Sequence, residues 1–226
     1  MSPRSFEFLD SFPIHFLLSV PADEGSLAHR RHVPFRVIEL DSLTDRLDLD
    51  KIFGRKARLH VDLGCGEGSF LCAMAQRMPD KNFLGIERLL NRVRTSARKA
   101  ATLDNVRLLR VENSYAARYL LPAESVERFY LLFPDPWPKR RHHRRRMVTP
   151  DFLNSIYAAL RKDGSIYIAT DDADYFGKIK EIAQSAPGFA ITDADIDLPP
   201  SRFGLIFRQK GAAIHSVALR KVSPVK

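Results

Sequence analysis

The residues of this sequence best suited to chemistry are acids at the ends of apolar segments. Asp62 stands in Arg58–Leu63, Glu87 follows Asn82–Ile86, and Glu112 with Asn113 follows Val106–Val111. A carboxylate at the end of a strand can accept paired hydrogen bonds from neighbouring hydroxyls or hold a cationic group. Each acid taken alone also suits a capping or solvated loop charge, whereas three in succession favour a shared ligand. A fourth, Asp135, stands between Pro134 and Pro136 after the apolar segment Val126–Phe133. Prolines fix their own φ and bias their predecessors to extended geometry, so Asp135 would be a stiffly held acceptor. A plain proline-rich turn is the alternative.

A basic run follows at once, Lys139-Arg140-Arg141-His142-His143-Arg144-Arg145-Arg146. The 226-residue chain has 36 Lys+Arg and 27 Asp+Glu, a net charge of +9; removing the six Lys and Arg of this run leaves +3. The positive balance is therefore largely local, and it suits a polyanion such as nucleic acid or, more plainly, a solvated basic loop. With 45% hydrophobic and 28% charged residues, the chain is neither disordered nor fibrous. Two cysteines, Cys65 and Cys72, exclude a disulfide scaffold and a four-cysteine zinc site, and both read as packing residues. His142 and His143 are adjacent within a cationic run, so no metal site is expected. No apolar stretch reaches the ~18 residues of a membrane span. Glu7, Asp10 and Pro13 interrupt any export-type segment, so a cytoplasmic location is expected.

The elements that must position these residues follow from periodicity. Strands are expected over Arg58–Leu63, Asn82–Ile86, Val106–Val111, Val126–Phe133 and Ser165–Ala169, the last introduced by a turn at Lys162-Asp163-Gly164. Helices are expected over Ser69–Gln76, Asn91–Ala101, Pro150–Leu160 and Ala173–Ser185, with Thr149 capping the third. Phe189–Ala194 and Ile214–Leu219 suit a closing antiparallel pair. This alternation implies an α/β fold: a mostly parallel seven-stranded sheet with helices on both faces. Residues 1–56 lack periodicity beyond a helical stretch near Leu40–Ile52 and are expected as an N-terminal extension. Residues 57–226 are expected as one domain.

Val61-Asp62-Leu63-Gly64-Cys65-Gly66-Glu67-Gly68 joins the first regular strand to the first helix. A dinucleotide loop would need a glycine at position 69, which is Ser69. The G-x-G-x-G spacing, with an acid two residues before it, resembles the S-adenosylmethionine loop of Rossmann-like class I methyltransferases. That ligand carries an ammonium and a sulfonium and no phosphate, which suits nearby carboxylates.

Phe133-Pro134-Asp135-Pro136-Trp137-Pro138-Lys139-Arg140-Arg141-His142-His143 resembles the hallmark of bacterial tRNA (guanine-N7-)-methyltransferases. The resemblance runs over residues 57 to 220 and includes Gly85-Ile86-Glu87 and Ala169-Thr170-Asp171. It implies S-adenosylmethionine as cofactor and N7 of a guanosine in the tRNA variable loop as acceptor. It implies that Asp62, Gly64, Gly66, Glu87, Glu112 and Asn113 line the cofactor site. Asp135 would be the catalytic acid bordering the cofactor, and Lys139 and Asp171 would bind substrate. The family's T-x-[FY]-E segment corresponds to Ser201-Arg202-Phe203-Gly204, where Ser201 offers a hydroxyl to substrate and Gly204 offers no carboxylate.

Arg140, Arg141, Arg144, Arg145 and Arg146 would contact RNA phosphates beside the site. Arg92, Arg94, Arg98 and Lys99 form a second basic face, solvated or RNA-facing. Trp137 suits base stacking or packing. A monomer or homodimer acting on tRNA is expected. The alternative reading, kept open by Gly204, is an RNA-binding protein on a methyltransferase fold with weak or altered activity.

Overall fold

The computed structural model describes residues 36–192 and 198–223. Residues 1–35 of the expected extension, and the last two positions of the strand expected over 189–194, lie outside them. A short strand β1 (Val37–Ile38) and helix α1 (Leu49–Phe53) precede β2 (Leu59–Leu63), α2 (Ser69–Arg77), β3 (Asn82–Ile86), α3 (Leu90–Lys99) and β4 (Val106–Leu109). A single turn, α4 (Asn113–Tyr115), continues as a wide π-turn over Ala116–Leu120 and leads to β5 (Val126–Leu132). Beyond a 3-10 helix over Arg140–Arg145 come α5 (Pro150–Ala159), β6 (Leu160–Thr170), α6 (Ala173–Gln184), β7 (Phe189–Thr192), α7 (Arg202–Gln209) and β8 (His215–Lys221).

The strands form one sheet in the order β1-β4-β3-β2-β5-β6-β8-β7. Pairing is parallel from β1 to β6, and β8 is antiparallel to both of its neighbours. Among the described residues, eight strands replace the expected seven. The additional one is β1, whose Val37 and Ile38 pair with Leu108 and Leu109. Two residues cannot show a period, and long-range contacts fix this strand: Arg36 pairs with Asp104 at 2.5 Å, and the Arg36 carbonyl accepts from Leu108 N at 2.8 Å. The turn expected at Lys162–Gly164 is instead an irregularity within a longer β6. Its pairing with β5 jumps from Leu160 to Ser165, and Asp163 has φ of 62°.

Side chains alternate across the sheet and build two cores. Leu59, Val61 and Leu63 of β2, with Phe129 and Leu131 of β5, pack under Phe152, Ile156, Tyr175 and Ile179 of α5 and α6. Phe83 and Tyr130 point the other way, against Phe70, Leu71 and Met74 of α2 and Val93 of α3. Gly85 of β3 lies under that second layer; a Cβ there would approach Leu71 to 2.5 Å and Cys65 to 2.8 Å. The starts of α5 and α6 are capped: Thr149 Oγ1 accepts from Phe152 N at 3.1 Å before Pro150, and Asp172 accepts from Tyr175 N at 2.7 Å.

The strand order places the site. From β2 the chain proceeds outward through β3 and β4, then returns to β5 on the other side of β2 and proceeds through β6. Loops leaving β2 and β5 at their C-terminal ends therefore diverge around a crevice, the place where open α/β sheets bind ligands. No helix among the described residues is long and apolar enough to cross a membrane.

Residues 36–56 join the same core. Phe53 is 5% exposed, Leu47 is buried with it, and the Arg107 guanidinium lies 5.5 Å from the Phe53 ring centre. Phe53→Ala should destabilise the fold by about 3–5 kcal/mol, as for other buried aromatics. Urea denaturation measures this, and a drop in stability below about 1 kcal/mol would show that the segment is only loosely attached.

Candidate functional site

The crevice is built first by the turn after β2. Gly64, Gly66 and Gly68 have φ of 78°, 56° and 75°, a left-handed region that only glycine enters without strain. Gly68 has a second reason to be glycine, because a Cβ would lie 2.1 Å from Ser96 Oγ on α3. The turn is tied to its neighbours. Gly64 N and Cys65 N both donate to the Ile86 carbonyl, at 2.8 and 3.0 Å, and Gly64 N also donates to Asn113 Oδ1 at 3.1 Å. Gly64, Asn113 and the end of β3 are thus brought together.

Two of the strand-end acids are buried beside this turn. Asp62 is 3% exposed, and Glu87 is 6% exposed. Burial pushes the Asp62 carboxyl up to about 7, and the nearby charge of Glu87 adds to the shift. Glu87 is oriented by its own loop: Oε1 accepts from Leu89 N at 2.8 Å and Oε2 lies 3.7 Å from Arg92 Nη1. Glu112 is exposed and engages the main chain, its two oxygens accepting from Ser114 N at 3.0 Å and Tyr115 N at 2.8 Å. Its carboxylate caps α4 and so fixes the turn that carries Asn113.

The second wall is the loop after β5. Phe133 and Trp137 have φ of 54° and 47°, uncommon for residues with a Cβ, and Asp135 stands exposed between them. Phe133 N donates to the Ala169 carbonyl at 2.7 Å, joining the loop to the end of β6, where Asp171 lies half-buried. The Arg145 guanidinium lies 4.9 Å from the Trp137 ring centre, and His142 meets that ring edge-on at 5.8 Å. Trp137 is therefore packed under the basic helix. Lys139, Arg140, Arg141, Arg144 and Arg145 are exposed. Arg146, expected to face RNA with them, is instead 8% exposed; its Nε donates to the Pro136 carbonyl and its Nη2 to Asp174. A guanidinium so engaged inside the protein is not presented to a phosphate.

The segment from Ser201 reaches the same wall. Ser201 Oγ accepts from Gly204 N at 3.0 Å and caps α7. A Cβ on Gly204 would lie 3.3 Å from that hydroxyl and 3.5 Å from the Phe133 ring, and Phe207 packs on Phe133 with ring centres 5.2 Å apart. Sequence reasoning gave no role to Glu67. It pairs with Arg202 of α7 and with Lys99 of α3, the latter at 3.6 Å, so it links the glycine turn to both helices. Its place inside the glycine motif was the one available signal.

A doubly wound sheet with an acid-flanked G-x-G-x-G turn at its switch point defines a Rossmann-like class I methyltransferase. Comparison with known proteins agrees. The family described as "Putative methyltransferase" matches residues 56–208. The tRNA (guanine-N(7)-)-methyltransferase of Halorhodospira halophila is 36% identical over 172 residues, 73% of this chain and 74% of that protein. The enzyme of the same name from Thermotoga maritima is 40% identical over 147 residues, 64% of this chain and 47% of that protein. A SAM dependent methyltransferase from Aquifex aeolicus shares the fold at a TM-score of 0.53 and 16% identity, over 76% of this chain and 87% of that one. The chain belongs to the tRNA (guanine-N(7)-)-methyltransferase family.

The burial of Asp62 has a pH signature. Its folded-state value of about 7 exceeds the ordinary 3.8, so the folded chain binds the extra proton between these limits. The resulting stabilisation is complete below 3.8 and is lost as pH rises through about 7. Asp62→Asn cannot ionise, so its melting temperature should gain on the parent's as pH is raised from about 4 to about 8 in ligand-free melts. A difference independent of pH would mean that the Asp62 carboxyl is not raised.

Proposed function

We propose that this chain methylates N7 of a guanosine in the tRNA variable loop, using S-adenosylmethionine. One observation carries the reading. The Asp135 loop and the glycine turn leave adjacent strands, and an exposed basic helix continues directly from the former. A site for a small molecule has no use for five exposed cations at its lip.

S-adenosylmethionine fits the residues present. The ionised form of Asp62 is disfavoured by burial, and a neighbouring ammonium or sulfonium would restore it. The left-handed glycines allow a ligand close to the main chain. Glu87 has lone pairs left for ribose hydroxyls, Asn113 stands where adenine would lie, and Glu112 holds that turn. Asp135 borders the same space.

When bound, S-adenosylmethionine supplies a methyl group that leaves sulfur for the in-plane lone pair of guanine N7, so no proton is removed first. The protein's contribution is alignment and charge. Asp135 and Asp171 accept the guanine N1–H and N2–H donors and stabilise the positive charge that the base acquires. Lys139 and Ser201 hold the nucleotide. Arg140, Arg141, Arg144 and Arg145 meet the phosphates. Gly204 adds no carboxylate to this pocket. A tRNA substrate puts the work in the cytoplasm.

A methyl-transfer assay on unmodified tRNA, with the methylated base mapped, tests the reading directly. Asp135→Asn should keep the fold and lower kcat by roughly 10²–10³, the scale found when one electrostatic partner of a transition state is removed. Turnover near the parent's would reject the role of Asp135.

Replacing Arg140, Arg141 and Arg144 together with Ala should flatten the salt dependence of tRNA binding. Each phosphate left without its cation takes about 0.7–0.9 off the log–log slope. S-adenosylmethionine affinity by calorimetry should stay within about twofold, a change of roughly 0.4 kcal/mol. An unchanged slope would assign these side chains to solvent.

A further inference from the structure

Arg146 ends the basic run, yet it is the buried member of it. Its Nε donates to the Pro136 carbonyl at 2.7 Å, one residue past Asp135. Its Nη2 donates to Asp174 Oδ2 at 2.6 Å, in the first turn of α6 and three residues past Asp171. Its guanidinium carbon lies 4.8 Å from the centre of the buried Tyr175 ring. The Tyr175 hydroxyl in turn accepts from Val148 N at 3.0 Å, which fixes the chain just beyond Arg146. Arg146 therefore joins the two segments that carry Asp135 and Asp171. The loop it grips has left-handed residues at both Phe133 and Trp137. Such backbone persists only where its surroundings over-determine it.

We infer that Arg146 is a positioning residue for methyl transfer, setting the separation of the Asp135 and Asp171 carboxylates, rather than an RNA-binding residue. The inference rests on the roles proposed for those two acids. A planar fork with two donor edges is what the geometry uses, and a lysine cannot reproduce it.

The test compares Arg146→Lys, Arg146→Met and Asp174→Asn in the full chain. Asp174 is an exposed anchor at 74% side-chain exposure, so its variant keeps the test alive if the buried substitutions fail to fold. Steady-state kinetics on tRNA should show kcat reduced by about tenfold or more in Arg146→Lys, equivalent to about 1.4 kcal/mol. KM for S-adenosylmethionine should move less than about twofold, and the salt slope of tRNA binding should be unchanged even in Arg146→Met, which removes the charge. Asp174→Asn should lower kcat in the same sense.

Acting through Asp135 makes the effects non-additive: in single turnover, Arg146→Lys should lose little further rate in an Asp135→Asn background. Wild-type kcat in Arg146→Lys and Asp174→Asn overturns the inference. So does a salt slope reduced by about 0.7–0.9 in Arg146→Met, which removes the charge, with kcat intact in Arg146→Lys, which keeps it; Arg146 would then be a phosphate contact. Additive losses overturn it as well. Normal turnover in Asp135→Asn alone rejects the role of Asp135 instead.

Discussion

Asp62 of β2 lies opposite Gly85 of β3 and Tyr130 of β5, in the middle of the sheet, and the parallel pairing around it governs every functional loop. Because β2 has parallel neighbours on both sides, three strands end at the same edge and in the same sense. The turn after β2, Glu87 after β3 and the Asp135 loop after β5 must therefore share one crevice. A slip of one residue in any of these registers would turn Asp62 from the α2–α3 face toward the opposite core. The apolar alternation of Leu59, Val61 and Leu63 prevents that slip, so the packing that stabilises the fold also aims the acid.

The electrostatics divide along the same line. On the glycine side, burial concentrates negative charge where the solvent is excluded, and the Asp62 carboxyl is raised to about 7 in consequence. On the Asp135 side the cations are exposed, save for Arg146, which is neutralised by Asp174. Arg146 holds that carboxyl below its ordinary value, chiefly through their hydrogen bond. Asp62 and Glu87, the buried acids proposed to hold a cationic ligand, are thus kept dry, and the cations proposed to meet a polyanion are kept wet. Each arrangement suits its partner: a buried charge interacts strongly at short range, while an exposed row acts over distance and yields to salt.

Much of this was legible in the sequence because it is local. The strand Asn82–Ile86 has the bounds read from its apolar run, Thr149 before Pro150 marks a helix start, and the glycine turn follows from residue type alone. What was illegible is held from afar. The strand Val37–Ile38 is too short for a period and depends on partners such as Asp104, and the helical stretch read near Leu40–Ile52 narrows to Leu49–Phe53, where Arg107 holds the Ile52 carbonyl. Helix α7 contains Gly204, which weakens helix propensity, and it is stabilised by Phe133 and Glu67 far away in sequence. Arg146 sits in a run that reads as solvated; its burial is set by Pro136 and Asp174, 10 and 28 positions away.

The basic run folds as a 3-10 helix over Arg140–Arg145. In that geometry side chains three apart eclipse one another, at a rise of about 2.0 Å per residue. Arg141 and Arg144 therefore stand one above the other, about 6 Å apart along the axis, with only His142 and His143 between them in the chain. That spacing is shorter than the roughly 8 Å over which physiological salt screens charge, so the free helix repels itself. A phosphate chain lying along it, as proposed for this run, would remove that repulsion as it bound. Added salt would act on the same element in two senses, calming the free helix while loosening the proposed hold on a phosphate chain. The ionic strength at which the helix is most at ease alone would then not be the one at which it grips best.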